Sequence, residues 1–161
     1  VECMEQLVKE GKIRSWGVSN FDTDDMKELF SVPNGNHCVV NQVLYHLGSR
    51  GVEFDLLPWL KEHNVPLMAY CPLAQAVDLQ KDLLQSSAVK EVARIHGITP
   101  MQVLLAFVLY KENVIAIPRS GKAEHVLQNL EAGKVHLTVE EYARLDAAFP
   151  APREKTYLDI V

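Results

Sequence analysis

Groups able to hold a ligand stand directly after short apolar runs at four places in the chain. Ser19-Asn20 follows the run Ile13 to Val18. Asn41-Gln42 lies at the end of Cys38 to Val43. Tyr70-Cys71-Pro72-Leu73 closes Val65 to Tyr70, and Pro118-Arg119-Ser120 comes after Val114 to Ile117. Serine, asparagine and glutamine can donate to and accept from a carboxamide without adding charge. A tyrosine ring offers a flat face for stacking. An arginine and a serine just before a helix suit a phosphate. Together these types describe a binding site for a nicotinamide dinucleotide lying across strand ends. Each residue also has a plainer reading. Ser19-Asn20 can cap the next helix, Gln42 can be a satisfied loop amide, Tyr70 a core aromatic and Arg119 a solvated cation. The agreement of four strand ends carries the functional reading.

The elements that would position these groups follow from periodicity and punctuation. Val1, Met4, Leu7 and Val8 mark one face of a helix that Gly11 can stop. A strand over 13–18 precedes a helix from Asp22 or Thr23 to about Phe30. After the loop Pro33-Asn34-Gly35-Asn36, a strand is predicted over 38–43, then a helix over 51–63 that contains Pro58. A strand over 65–70 leads to a helix over 81–96, ending at Gly97. Thr99-Pro100 starts an almost wholly apolar helix to Tyr110. A strand over 114–117, a helix over 122–130 and a last helix to Ala148 complete the pattern. That last helix opens on a capping box, Thr138 with Glu141.

Apolar strands alternating with helices predict an α/β fold with parallel pairing. Two architectures fit: a doubly wound open sheet, or part of a (β/α)8 barrel. No GxGxxG follows the first strand, which removes the usual support for a dinucleotide-binding open sheet. A whole barrel takes roughly 250 residues and eight βα units, twice the number of units present. The expectation is therefore half of a TIM barrel, four parallel βα units plus a C-terminal helix. It forms one domain over 1–161, with 150–161 as a polar tail. The chain starts at Val1, inside a helical pattern, so further chain upstream is expected.

Composition excludes several functional classes. With 161 residues, 48% apolar and 23% charged, the chain is neither disordered nor too small for a core. A net charge of −5 disfavours nucleic acid. The longest apolar stretch, Val103 to Tyr110, is too short to cross a membrane, and no leader pattern is present. Cys3, Cys38 and Cys71 form neither a disulfide framework nor a zinc motif. His37, His63, His96 and His136 show no metal-ligand spacing. These features predict a reduced, cytoplasmic chain without metal, membrane or nucleic acid partners.

The same residues carry a resemblance. The segment from Gly11 through Ile13, Arg14, Gly17, Val18, Ser19, Asn20 and Phe21 is similar to the GKIR-x-x-GVSNF segment of aldo-keto reductases. Asn41-Gln42-Val43 resembles their NQ strand, Ala69-Tyr70-Cys71-Pro72-Leu73 their AYSPL strand, and Ile117-Pro118-Arg119-Ser120 their IPKS or IPRS motif. The order and spacing agree from Val1 to about Pro152. The resemblance implies an NAD(P)H-dependent oxidoreductase that reduces aldehydes or ketones by hydride transfer. NADPH is the implied cofactor and NADH the alternative. Ser19, Asn20 and Gln42 would bind the nicotinamide carboxamide and Tyr70 would stack on its ring. Leu73 and Gln75 would meet the pyrophosphate, Arg119 and Ser120 the adenosine phosphate, and Gln128 and Asn129 the adenine.

Departures qualify this. His125 stands where many NADPH-preferring members have arginine, and Cys71 replaces a common serine. The family's catalytic Asp, Tyr, Lys and His come from four βα units absent here, so no catalytic residue is assigned. His46 is expected to be structural. The chain alone should then bind cofactor without turnover. A small carbonyl compound is the implied substrate. The uncovered sheet face predicts self-association or pairing with the missing half, and the alternative function is a non-catalytic nucleotide-binding or self-associating module. Tyr157 and Leu158 in the tail are candidates to face a pocket.

Overall fold

Helix starts in this chain are set by side chains that satisfy the first free amides. In a computed structural model describing residues 1–75 and 77–160, Asp22 caps α2 (Thr23–Ser31) in a capping box with Asp25. Thr99 and Gln102 form the same box at α6 (Pro100–Leu109), and Thr138 and Glu141 at the C-terminal helix (Val139–Ala148). The helix starts marked in the sequence by Thr99-Pro100 and by the Thr138-Glu141 box thus lie where expected, and Gln102 completes a box at the first of them.

Strands β1 (Val18–Ser19), β2 (Asn41–Leu44), β3 (Leu67–Tyr70) and β4 (Val114–Ala116) form one sheet in that order, every pair parallel. Helices α1 (Glu2–Lys9), α2, α3 (Leu56–Glu62), α4 (Val77–Gln85), α5 (Ser87–His96), α6, α7 (Ala123–Ala132) and α8 (Val139–Ala148) complete the chain. Four parallel strands with their crossover helices match half of a (β/α)8 fold.

Several boundaries differ from the periodicity. The strand over 13–18 shrinks to Val18–Ser19 because the Ile13 amide is taken by the Leu7 carbonyl at the end of α1. The Trp16 carbonyl still accepts from Val39 ahead of the ladder. The helix over 51–63 divides into a 3-10 turn, Gly51–Glu53, and α3. Pro58 is the third residue of α3, where an amide would have no acceptor within the helix, so it fits the first turn instead of breaking the helix. The helix over 81–96 is two helices. Ser86 leaves helical geometry between them, its amide shared by the Asp82 and Leu83 carbonyls. The strand over 38–43 starts three residues later, at Asn41.

The core lies between the sheet and the helices. Val43, Leu67 and Ala69 are buried on the helix-facing side, against α6, where Gln102 to Val108 are all buried. Among the described residues no single helix is long and apolar enough to cross a membrane. The other sheet face is open: Met68 and Tyr70 are half-buried, and Ile115 is 45% exposed and Ile117 40%. Helices thus cover one face of the sheet, and the uncovered face is the one that a half-barrel leaves open. β1 and β4 are the two edges. The tail after α8 is described to Ile160, and Val161 lies outside the described residues.

Candidate functional site

Parallel strands all point their C-terminal ends to one rim, so Ser19, Gln42, Tyr70 and the segment after Ala116 are neighbours by topology. The Ser19 hydroxyl donates to the Gln42 carbonyl at 3.0 Å. The Tyr70 hydroxyl donates to Asn20 Oδ1 at 3.1 Å. Asn20 sits at φ 57°, in the left-handed region that asparagine tolerates. Its own strand is not a helix start: Asp22 caps α2, so the capping reading of Ser19-Asn20 does not apply. The Gln42 amide donates to Met68 Sδ at 3.3 Å. A thioether is a weak acceptor, so this amide has a poor partner where it stands.

Beside this patch, reached through Tyr70-Cys71, lies a cavity of about 740 Å³. Six of the residues singled out from sequence line it together: Leu73, Gln75, Arg119, Ser120, Gln128 and Asn129. His125 and Cys71 also line it. Ser19, Asn20, Gln42 and Tyr70 are not in its wall; they form the patch on the strand ends. The ten candidates thus fall into two adjoining groups on one rim.

The cavity's near wall is an unusual turn. Cys71 and Ala74 both have positive φ, 49° and 56°, which L-residues with a Cβ rarely adopt. Such backbone persists where the surroundings over-determine it. Here Gln80 does so, its side-chain amide donating to the carbonyls of Leu73 and Ala74 at 2.8 Å each. Sequence reasoning missed Gln80, whose partners are visible only once the turn is formed. On the far wall, Ser120 Oγ accepts from the Lys122 amide at 3.1 Å, ahead of α7. Gln102 donates to the Gln128 carbonyl at 3.0 Å and ties α7 to α6.

Two side chains could be mistaken for catalytic groups. The Cys71 thiol donates to Gln75 Oε1 at 2.8 Å, and burial pushes its pKa up, the opposite of an activated nucleophile. His46 is buried, and its Nδ1 accepts from the Gly48 amide at 3.1 Å, stapling the turn after β2. Burial holds this imidazole below its ordinary range. A tyrosine–lysine pair exists elsewhere, at Tyr142 and Lys111. It lies in the helical layer, and burial raises the phenol, whereas a general acid needs it lowered. Among the described residues no three His, Cys, Asp or Glu side chains are placed to hold a metal ion.

Comparison with known proteins gives a consistent result. The chain is 53% identical, over all its residues, to methylglyoxal reductase YeaE of Escherichia coli, of which it covers 57%. It is 31% identical over 145 residues to glyoxal reductase of Bacillus subtilis, covering 90% of this chain and 49% of that protein. The chain thus spans about half the length of these relatives. The crystal structure of an aldo/keto reductase from Klebsiella pneumoniae in complex with NADP and acetate superposes on it with a TM-score of 0.96 at 53% identity. That match covers all of this chain and 57% of the solved one. The pattern of the aldo/keto reductase family matches residues 1–149, from α1 to the end of α8, and with the half-barrel topology this places the chain in the aldo/keto reductase family.

Proposed function

We propose that this chain is the NAD(P)H-binding half of an enzyme that reduces small aldehydes or ketones to alcohols. The single observation that carries the reading is the shared rim: a neutral amide and hydroxyl patch adjoining a cavity whose wall holds Arg119 and Ser120. A dinucleotide has one uncharged carboxamide end and one phosphate-bearing end, and the donor set fits both in that order. Ser19, Asn20 and Gln42 would hold the carboxamide, with Gln42 exchanging its thioether partner for a stronger one. Tyr70 would lie under the nicotinamide ring. Leu73 and Gln75, on the turn braced by Gln80, would meet the pyrophosphate. Arg119 and Ser120 would hold the adenosine phosphate, and Gln128 and Asn129 the adenine. Bound NADPH would supply the hydride for carbonyl reduction.

The solved relatives bound to NADP or NADPH support NADPH as the preferred cofactor, with NADH as the alternative. Relatives named as methylglyoxal and glyoxal reductases support a small carbonyl substrate. A cytoplasmic setting agrees with three free cysteines. The chain's own contribution is orientation, the source of much of the proximity gain. The tyrosine at the rim donates to a neutral amide, so the chain is assigned no proton donor for the alkoxide. Titrating NADPH into the purified chain and following its fluorescence should give saturable binding. Adding methylglyoxal should leave the absorbance of the reduced cofactor unchanged over minutes. Absence of binding would overturn the site, and rapid turnover would overturn the assignment of catalysis to another part of the protein.

A self-associating module is a second reading, favoured by the open sheet face with Ile115 and Ile117 and by the unpaired edges of β1 and β4. Pairing with the complementary half, or with a second copy, would cover both. Sedimentation should detect dimers or larger species, or else an 8-anilinonaphthalene sulfonate signal from a monomer. A monomer that binds no dye contradicts this reading.

A further inference from the structure

Residues after α8 return to the functional rim and are tied there at several points. Ser49, Arg50 and Gly51, just beyond β2, make a cradle for them. The Ser49 hydroxyl donates to Asp159 Oδ2 at 2.5 Å. Arg50 donates to the Phe149 carbonyl at 2.5 Å. Thr156 passes so close to Gly51 that a Cβ built there would lie 2.5 Å from Thr156 Oγ1. Leu158 packs against the core, whereas Tyr157 is 96% exposed, so of the two tail candidates only Leu158 is an anchor.

One further tie differs in kind. Lys155 Nζ lies 2.9 Å from Asp55 Oδ2 and 3.3 Å from Asp22 Oδ2. Asp55 precedes α3, and Asp22 follows β1 by the segment that carries Asn20. The three side chains are 39%, 29% and 22% exposed, so solvent screens the ammonium's attraction only in part. The Phe21 carbonyl between Asn20 and Asp22 accepts from Asn41 Nδ2 at 2.7 Å, so this segment has little slack. A single ammonium therefore joins the tail, the loop after β1 and the start of α3.

We propose that Lys155 is a positioning residue: it latches residues 150–160 as a strap across the ends of β1 and β2 and steadies the loop bearing Asn20. The coupling to Asn20 rests on the cofactor site proposed above, but the latch does not. Whatever reduces the strap's freedom then favours the ordered loop, and an occupant of the carboxamide patch favours the closed strap in return.

Amide exchange of the whole chain, read by mass spectrometry, tests this. In K155M, peptides within 153–160 should exchange roughly fivefold faster than in the wild type, the scale that two partly exposed ion pairs can set. K155R should retain the wild-type rate, and 1 M sodium chloride should accelerate the wild type toward K155M. G51A should also loosen the tail, and since it leaves the Lys155 pairs in place it should keep the salt response that K155M loses. Peptides from α6 should be unchanged throughout, which reports an intact fold. Equal tail exchange in wild type and K155M overturns the latch, as does equal loosening in K155M and K155R. NADPH should slow tail exchange in the wild type and not in K155M. If NADPH binds and leaves the wild-type tail unaffected, the coupling is wrong. If it does not bind, the cofactor site fails while the ligand-free comparison still decides the latch.

Discussion

Replacing Arg119 with methionine should weaken NADPH binding about ten- to thirtyfold, roughly 1.5–2 kcal/mol, the range of a hydrogen bond to a charged group. NADH binding should change by no more than about twofold, because the lost partner is the 2′-phosphate that NADH lacks. Among the described residues, Arg119 is the one Lys, Arg, Asp or Glu in the cavity wall, with Ser120 and His125 as neighbours. A guanidinium presents two parallel donors that match two phosphate oxygens, so Arg119→Lys should be intermediate: the charge stays and the fork is lost. The full desolvated value of a buried pair does not apply, since Arg119 is exposed. Fluorescence titrations with both cofactors at one ionic strength measure the ratio. If NADPH and NADH weaken equally, Arg119 acts on the shared part of the molecule and its assignment to the phosphate is wrong.

What the sequence made legible was the part encoded locally. Thr99-Pro100 announces a helix start because a cap precedes proline at the first helical position, and Thr138-Glu141 because a cap and its partner lie three residues apart. The four strand ends announce a rim because parallel βα units must all point one way. Six of the ten site candidates then share one cavity because the turn after β3 and the helix after β4 border the same space. What stayed hidden depends on partners far along the chain or on backbone that residue type does not signal. Cys71 and Ala74 take left-handed conformations without being glycine or asparagine, so nothing marked their turn, and Gln80 had no visible partner. The helix over 51–63 placed Pro58 in its interior because nothing in the sequence marks the 3-10 turn that moves it into the first turn of α3. Lys155 carries no local signal of its role, since Asp22 and Asp55 lie at least 100 residues away. Arg50 has Glu53 three residues on, but its other partners, Tyr142, Asp146 and Phe149, come from the far end of the chain.

Arg50 to methionine should be the most damaging single substitution in the helical layer, lowering stability by about 3–5 kcal/mol, because it strands a buried carboxylate. Arg50 and Glu53 side chains are 3% and 8% exposed. The guanidinium meets both Glu53 oxygens, at 2.7 and 3.0 Å, and also Tyr142, Asp146 and the Phe149 carbonyl. Tyr45 donates to Glu53 as well, at 2.9 Å. Burial tends to raise the Glu53 pKa, yet hydrogen bonding and charge from Arg50, then Lys111, outweigh it and leave the group below its ordinary 4.5. Because the folded value is the lower one, the pair's contribution is fully present above the unfolded carboxyl pKa. It is lost as pH falls through the folded value. In R50M the carboxylate keeps its burial and loses its main partner, so at neutral pH it stays charged at a penalty or takes up a proton. Urea unfolding at pH 7 should show the full loss, and the gap between R50M and wild type should narrow as pH falls through the depressed folded value of Glu53, where the group can be protonated in both. Adding Glu53→Leu to R50M should recover part of the stability, since the second change removes the charge that the first left unpaired. A loss below about 1 kcal/mol at pH 7, or a gap that stays constant into acid, would mean that water reaches this cluster and that the ties from β2 to α8 are held by packing alone.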